Sequence, residues 1–112
     1  MVDCLFCKIA KREIPAKVVF EDKQCTAFRD INPQAPTHIL IIPHKHIEKA
    51  SDLTEEETSL VGHLHTVARH VALAEKLTDY RLVINNGVSA GQTVWHLHLH
   101  LLGGRPFSWP PG

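Results

Sequence analysis

The sequence predicts a single domain that mixes β-strands with two helices, one short and one long. Three stretches carry this. Val94 to Leu102 alternates histidine with leucine at a period of two, as a β-strand does. Ile39-Leu40-Ile41-Ile42 is a continuous apolar run fit for a central strand. Leu60, Val61, Leu64, Val67, Ala68 and Val71 recur at helical spacing. The chain has 112 residues and is 44% apolar, enough for one domain spanning residues 1–112 with a real core.

From the N-terminus, Cys4 and Cys7 form a Cys-x-x-Cys pair. That spacing suits two zinc ligands or a redox pair, and equally two small apolar residues in a short helix. No second such pair exists, so further metal ligands would be histidines. Phe6 to Glu13 reads as the short helix, ended before Pro15. Val18 to Glu21 and Cys25 to Asp30 form a predicted hairpin, turning through Asp22-Lys23-Gln24. Cys25 reads as a small core residue. Ile31 to Pro36 is a loop stiffened by two prolines, able to position Asp30 and Ile31, although composition alone favours a plain connector. Thr37 to Pro43 is the central strand, opened by His38 and followed by His44 and His46.

Thr54 and Glu57 have capping-box spacing, and the acidic first turn suits the helix dipole. The long helix is expected to run to about Leu77. His63, His65 and His70 lie off its apolar stripe and read as surface or interface residues. Leu73 and Leu77 also fall off it and suggest a second contact, such as one with another subunit. Tyr80 to Asn85 is a further strand. Asn86 to Thr93 then connects it to the histidine strand, with Gly87 and Gly91 permitting sharp turns. Loop amides with the Ser89 and Thr93 hydroxyls could bind phosphate, or the loop could be an ordinary hairpin connection. The tail from Gly103 is apolar for a free end, and Trp109 needs a surface to pack on.

The histidine strand holds the chemistry. His96, His98 and His100 share one face, roughly 6.5 Å apart in sequence, while Leu97, Leu99 and Leu101 share the other. Three rings in a row make a poor core, because each buried nitrogen needs a partner. The alternatives are a solvent-facing strand face and a catalytic zinc site. A neutral imidazole at pH 7 is a competent nucleophile toward phosphorus.

Composition narrows the class. The 12 basic and 12 acidic side chains cancel, so neither nucleic acid nor a membrane surface is an expected partner. Nine histidines are the anomaly. Met1 to Lys8 shows no signal-peptide pattern, and no apolar run is long enough to span a bilayer. Three cysteines without secretory context fit reduced thiols in a cytoplasmic protein.

His96-Leu97-His98-Leu99-His100-Leu101-Leu102 resembles the motif that names the histidine triad (HIT) family. Phe28 to His38 and the ending Trp109-Pro110-Pro111-Gly112 resemble its Hint branch, so the likeness covers nearly the whole chain. The resemblance implies an α+β fold with an antiparallel sheet, a homodimer, and hydrolysis of purine nucleoside phosphoramidates on an AMP-like substrate. By matching position His98 is the nucleophile, supported by His38, His96 and His100. Asp30 would hold the ribose hydroxyls, with Phe28 and Ile31 at the base. Asn85, Gly91, Gln92 and Thr93 would surround the phosphate, Thr93 standing where serine is common. Trp109 would reach the partner subunit's site. Cys4, Cys7, His46 and His96 match the structural zinc site of zinc-bearing members, a metal the chemistry itself would not require. Two other classes compete: a zinc hydrolase using His96, His98 and His100, and a nucleotide-binding regulatory or interaction protein with incidental hydrolysis.

Overall fold

The computed structural model describes residues 3–112; Met1 and Val2, which open the segment without a signal-peptide pattern, lie outside the described residues. The described elements in order are α1 (Leu5–Ala10), β1 (Val18–Glu21), β2 (Cys25–Arg29), β3 (Thr37–Pro43), α2 (Thr58–Ala74), β4 (Tyr80–Val83) and β5 (Leu99–Gly103). The strands form one sheet in the order β1-β2-β3-β5-β4, every neighbouring pair antiparallel. The fold is therefore α+β with an antiparallel sheet, one long helix and one short. Among the described residues no helix is long and apolar enough to cross a membrane.

β3 explains its own apolar run. Its two faces feed two cores. Ile39 and Ile41 join Ala27, Leu99, Leu101 and the α2 stripe of Leu64, Val67, Ala68 and Val71. Leu40 and Ile42 join Phe28 with Phe6 and Ile9 of α1. α2 thus covers one face of the sheet and α1 covers the other. Leu97, Leu99 and Leu101 all lie in the α2 core, so the leucine side of the alternation is buried throughout.

Several boundaries differ from the sequence expectation, each for a local reason. The short helix ends at Ala10 instead of Glu13, because Arg12 adopts φ 62 and Glu13 N–H closes back on the Lys8 carbonyl. β2 stops at Arg29, one residue short of Asp30. The capping box forms as expected, with Thr54 N–H donating to Glu57 Oε1, but the first turn is 3₁₀ before α2 begins at Thr58. α2 ends at Ala74 instead of about Leu77, where Lys76 takes φ 61 and Leu77 N–H returns to the Ala72 carbonyl. Leu77 then packs within its own chain, against Gly103. Leu73 is 78% exposed.

β4 ends at Val83 and β5 begins only at Leu99, so Val94 to His98 is outside the ladder. Leu99 pairs with Ile41; continued in register, His98 would meet Ile42 and Leu97 would meet Pro43, which has no N–H to donate. The segment is held from the other side, by Leu97 N–H on the Ile47 carbonyl.

Candidate functional site

Register places the histidines. Phe28, Leu40 and His100 lie side by side across β2, β3 and β5. His38 precedes Leu40 by two residues and shares that face, beneath α1. The alternative of a solvent-facing histidine face fails here: His96 is fully buried and His98 is 8% exposed. Their rings point into two different chambers.

His96 belongs to the first chamber. Its Nε2–H donates to the Pro43 carbonyl at 2.8 Å, which leaves Nδ1 as a bare lone pair. That Nδ1 lies 3.3 Å from Cys4 Sγ, 3.5 Å from Cys7 Sγ and 3.2 Å from His46 Nδ1, and Cys7 Sγ is 3.4 Å from His46 Nδ1. A tetrahedral zinc site has N···N edges of about 3.3 Å and N···S edges of about 3.5 Å, given its bond lengths of roughly 2.0 and 2.3 Å. The four donors of this cluster fit such an ion in both type and spacing. Cys4 also caps α1, accepting from Cys7 N–H. Burial, with smaller contributions from neighbouring rings, pushes His96 down to about 4, against the pull of the Pro43 carbonyl. The ring is therefore neutral, as a metal ligand must be.

The second chamber is a cavity of about 550 Å³, within the ordinary range for small-molecule sites. Phe28, Asp30, Ile31, His38, Gly91, Thr93, His98 and His100 all line it, eight of the residues expected at the site. Asp30 Oδ1 accepts from Asn32 N–H, holding the loop, while Oδ2 lies 3.5 Å from His38 Nε2. Ile31 is wholly exposed at the rim and Phe28 is buried in the wall.

The hydrogen bonds fix the protons in this chamber. Gln34 N–H donates to His38 Nδ1, so the neutral ring carries its proton on Nε2. His38 Nε2–H then donates to His100 Nδ1 at 2.9 Å, which places the His100 proton on Nε2, a buried donor without a partner among the described residues. His98 Nδ1–H donates to the His96 carbonyl at 2.7 Å, leaving Nε2 as its lone pair. Burial is the first cause in all three rings. It lowers His38 and His98 and pushes His100 down to about 4, with the neighbouring histidines adding to the effect at His100. All three are neutral at pH 7.

Other expected residues are placed differently. Ser89 is exposed on a 3₁₀ turn and does not line the cavity; Thr93 does. Gln92 is buried and spends its amide on the backbone, accepting from Gly87 N–H and donating to the carbonyls of Glu48 and Val94. The amides of Ala90, Gly91 and Gln92 close the loop on itself. Gly91 sits at φ 100, where a side chain would be strained, and Asn85 Nδ2 lies beside it. Trp109 is 82% exposed and outside the cavity. His96, His98 and His100 do not converge on one point. The groupings of described residues able to hold a cation put His96 with the cysteines and His100 with Asp30 and His38. His44 is a satisfied structural residue, bonded to Thr26 Oγ1 and the Lys23 carbonyl.

Sequence reasoning missed the α1 wall, where Leu5, Phe6 and Ile9 close the cavity. The available signal was the apolar spacing of Phe6 and Ile9, one face of a helix with no assigned partner.

Comparison with known proteins agrees with this geometry. A family profile described as "HIT domain" matches residues 11–107. The chain belongs to the HIT family. An uncharacterised HIT-like protein of Synechocystis is 58% identical over 111 residues, covering 98% of this chain and 97% of that one. The crystal structure of a HIT family hydrolase from Legionella pneumophila superposes with a TM-score of 0.96 at 56% identity, covering 98% of this chain and all of that one. A zinc-bound histidine triad protein from Mycobacterium smegmatis matches with a TM-score of 0.82 at 31% identity, covering 92% of this chain and 76% of that one.

Proposed function

We propose that this HIT protein hydrolyses purine nucleoside 5′-phosphoramidates through a nucleotidyl-histidine intermediate. One observation carries the reading: His98 gives its Nδ1–H to the His96 carbonyl and holds its Nε2 lone pair at a cavity shared with Asp30. A neutral, oriented ring of this kind is an activated nucleophile that needs no separate base. In the first step His98 Nε2 attacks phosphorus; the P–Nε2 bond forms as the P–N bond to the amine breaks. The amine leaves with the bonding pair and takes a proton from water at the cavity mouth. Water then attacks phosphorus, the P–Nε2 bond breaks, and a proton is released. The products are a nucleoside monophosphate and an amine.

The other residues take supporting roles. His100 Nε2–H and the Thr93 hydroxyl hold phosphoryl oxygens, and His38 fixes the His100 tautomer from behind. Gly91 and Asn85 shape the phosphate loop, which Gln92 braces from within. Asp30 takes the ribose hydroxyls, and the base lies against Phe28 and Ile31. Cys4, Cys7, His46 and His96 hold a structural zinc that anchors α1 over the cavity. A single domain, a cytoplasmic location consistent with three free thiols, and a homodimer that brings Trp109 to its partner complete the reading.

The test is hydrolysis of adenosine 5′-phosphoramidate by wild type and His98→Asn, each with and without chelator. The variant is expected to lose turnover on the order of a thousandfold or more, and chelation is expected to spare it in protein that stays folded. Undiminished turnover by His98→Asn would sink the reading.

A further inference from the structure

A second hollow, of about 260 Å³, adjoins the nucleotide cavity. The two share Leu5, Thr93 and Val94, so Thr93 is a wall of both. The remaining walls include Asp3, Glu48 and Trp95. We infer that this hollow receives the amine portion of the substrate and selects amines carrying a second, cationic nitrogen on an apolar body. The inference rests on the phosphoramidate reading above.

Three observations support it. The first is continuity. The nucleoside side of the cavity is walled by Phe28, Asp30 and Ile31, and the reacting side by His98 and His100. A substituent on phosphorus that belongs to neither side has the Thr93 wall to pass, and the hollow lies directly beyond it. The second is exposed apolar surface. Leu5 is 46% exposed and Trp95 is 40% exposed, two large side chains facing the hollow with part of their surface in water. An alkyl or aryl chain laid there would remove that surface from solvent. The third is charge. Asp3 pairs with Lys8, whereas Glu48, an exposed residue of the lining, makes no ion pair among the described residues. The Glu48 carbonyl accepts from Gln92 Nε2, which ties its backbone to the loop that carries Thr93. The Glu48 backbone is thereby held in register with the phosphate end, and it carries a solvent-exposed carboxylate beside the hollow. That carboxylate attracts a terminal ammonium and repels a terminal carboxylate, which sets apart diamine-type from amino-acid-type leaving groups.

The experiment compares four adenosine 5′-phosphoramidates: the unsubstituted compound and those of pentylamine, cadaverine and the ω-amino acid of the same chain length. In wild type kcat/KM is expected to fall in the order cationic, neutral, anionic, each step roughly fivefold, as one partly exposed charge contact allows. Glu48→Lys is expected to reverse the order and Glu48→Gln to flatten it, both leaving the unsubstituted compound unchanged. Trp95→Ala is expected to slow the three chain-bearing substrates alone. An order that is absent in wild type, or unchanged in both Glu48 variants, overturns the inference while leaving the phosphoramidase reading standing. Failure of wild type on all four compounds overturns both.

Discussion

Phe6 meets His98 edge to face, with ring centroids 5.1 Å apart at 88°. Phe6 lies between Cys4 and Cys7 in sequence, and it also touches His96 at 6.0 Å and Phe28 at 5.5 Å. One side chain therefore joins the cysteine cluster, the base wall and the ring proposed to react. A short helix of six residues has little stability of its own. Its position over the cavity depends on the cluster at its start and on this contact.

Replacing Phe6 by alanine tests that dependence. Phe6 is 5% exposed, so Phe6→Ala is expected to cost about 3 kcal/mol, the low end for a buried phenylalanine because so short a helix can settle into the space. Removing a cavity wall is also expected to raise KM for nucleotide substrates more than it lowers kcat. Urea denaturation and steady-state kinetics on the same samples check both.

The cysteine cluster gives a second prediction. Protein purified without chelator is expected to carry one zinc per chain by elemental analysis, and Cys7→Ser to carry much less. Zinc at a thousandfold excess over its Kd stabilises the native state by about 4 kcal/mol, so chelation should lower the melting temperature markedly. Turnover at a temperature where the stripped protein remains folded is expected to stay within a few-fold, since His98 Nε2 faces the other chamber.

Much of this was legible in the sequence because period and spacing are local. The β3 run, the Thr54 cap and the burial of Leu97, Leu99 and Leu101 follow from neighbours along the chain. The division of the histidines between two chambers does not. His96 is turned away from His98 and His100 by the Pro43 carbonyl and by two cysteines 89 and 92 residues distant. Alternation alone would have put all three rings at one site. Gln92 shows the same limit: the family resemblance puts it at the phosphate, but only the fold shows its amide already spent on three backbone groups. Leu77 fell off the helical stripe because it is past the helix end, where Lys76 redirects the chain toward Gly103.

That last contact is itself testable. A Cβ on Gly103 would stand 2.6 Å from Leu77 Cδ1 and 2.9 Å from Cδ2. The leucine must give way, so Gly103→Ala is expected to cost about 1–3 kcal/mol as overpacking. In a Leu77→Ala background the same substitution is expected to cost much less. A double-mutant cycle by chemical denaturation measures the coupling, and simple additivity would show that the strain lies elsewhere.

Asp22 gives a prediction about acid. Its carboxylate closes the β1–β2 turn, accepting from the amides of Gln24 and Cys25 through Oδ1 and from His63 through Oδ2. Burial raises its pKa, but these hydrogen bonds, His63 foremost, outweigh burial and bring it from 3.8 to about 2. The folded value lies below the unfolded one. The contribution is therefore fully present above pH 4 and is lost as pH falls from about 4 toward 2. The side chain is 29% exposed, so solvent screening reduces the effect to about 1–2 kcal/mol. Asp22→Asn is expected to lose that much at pH 7, and the gap between wild type and variant should close across that window. Urea titrations of both proteins at a series of pH values measure the gap directly, and the histidines that do not touch Asp22 cancel because both proteins carry them in the same surroundings. A gap that stays constant down to pH 2 would assign the turn's stability to the backbone alone.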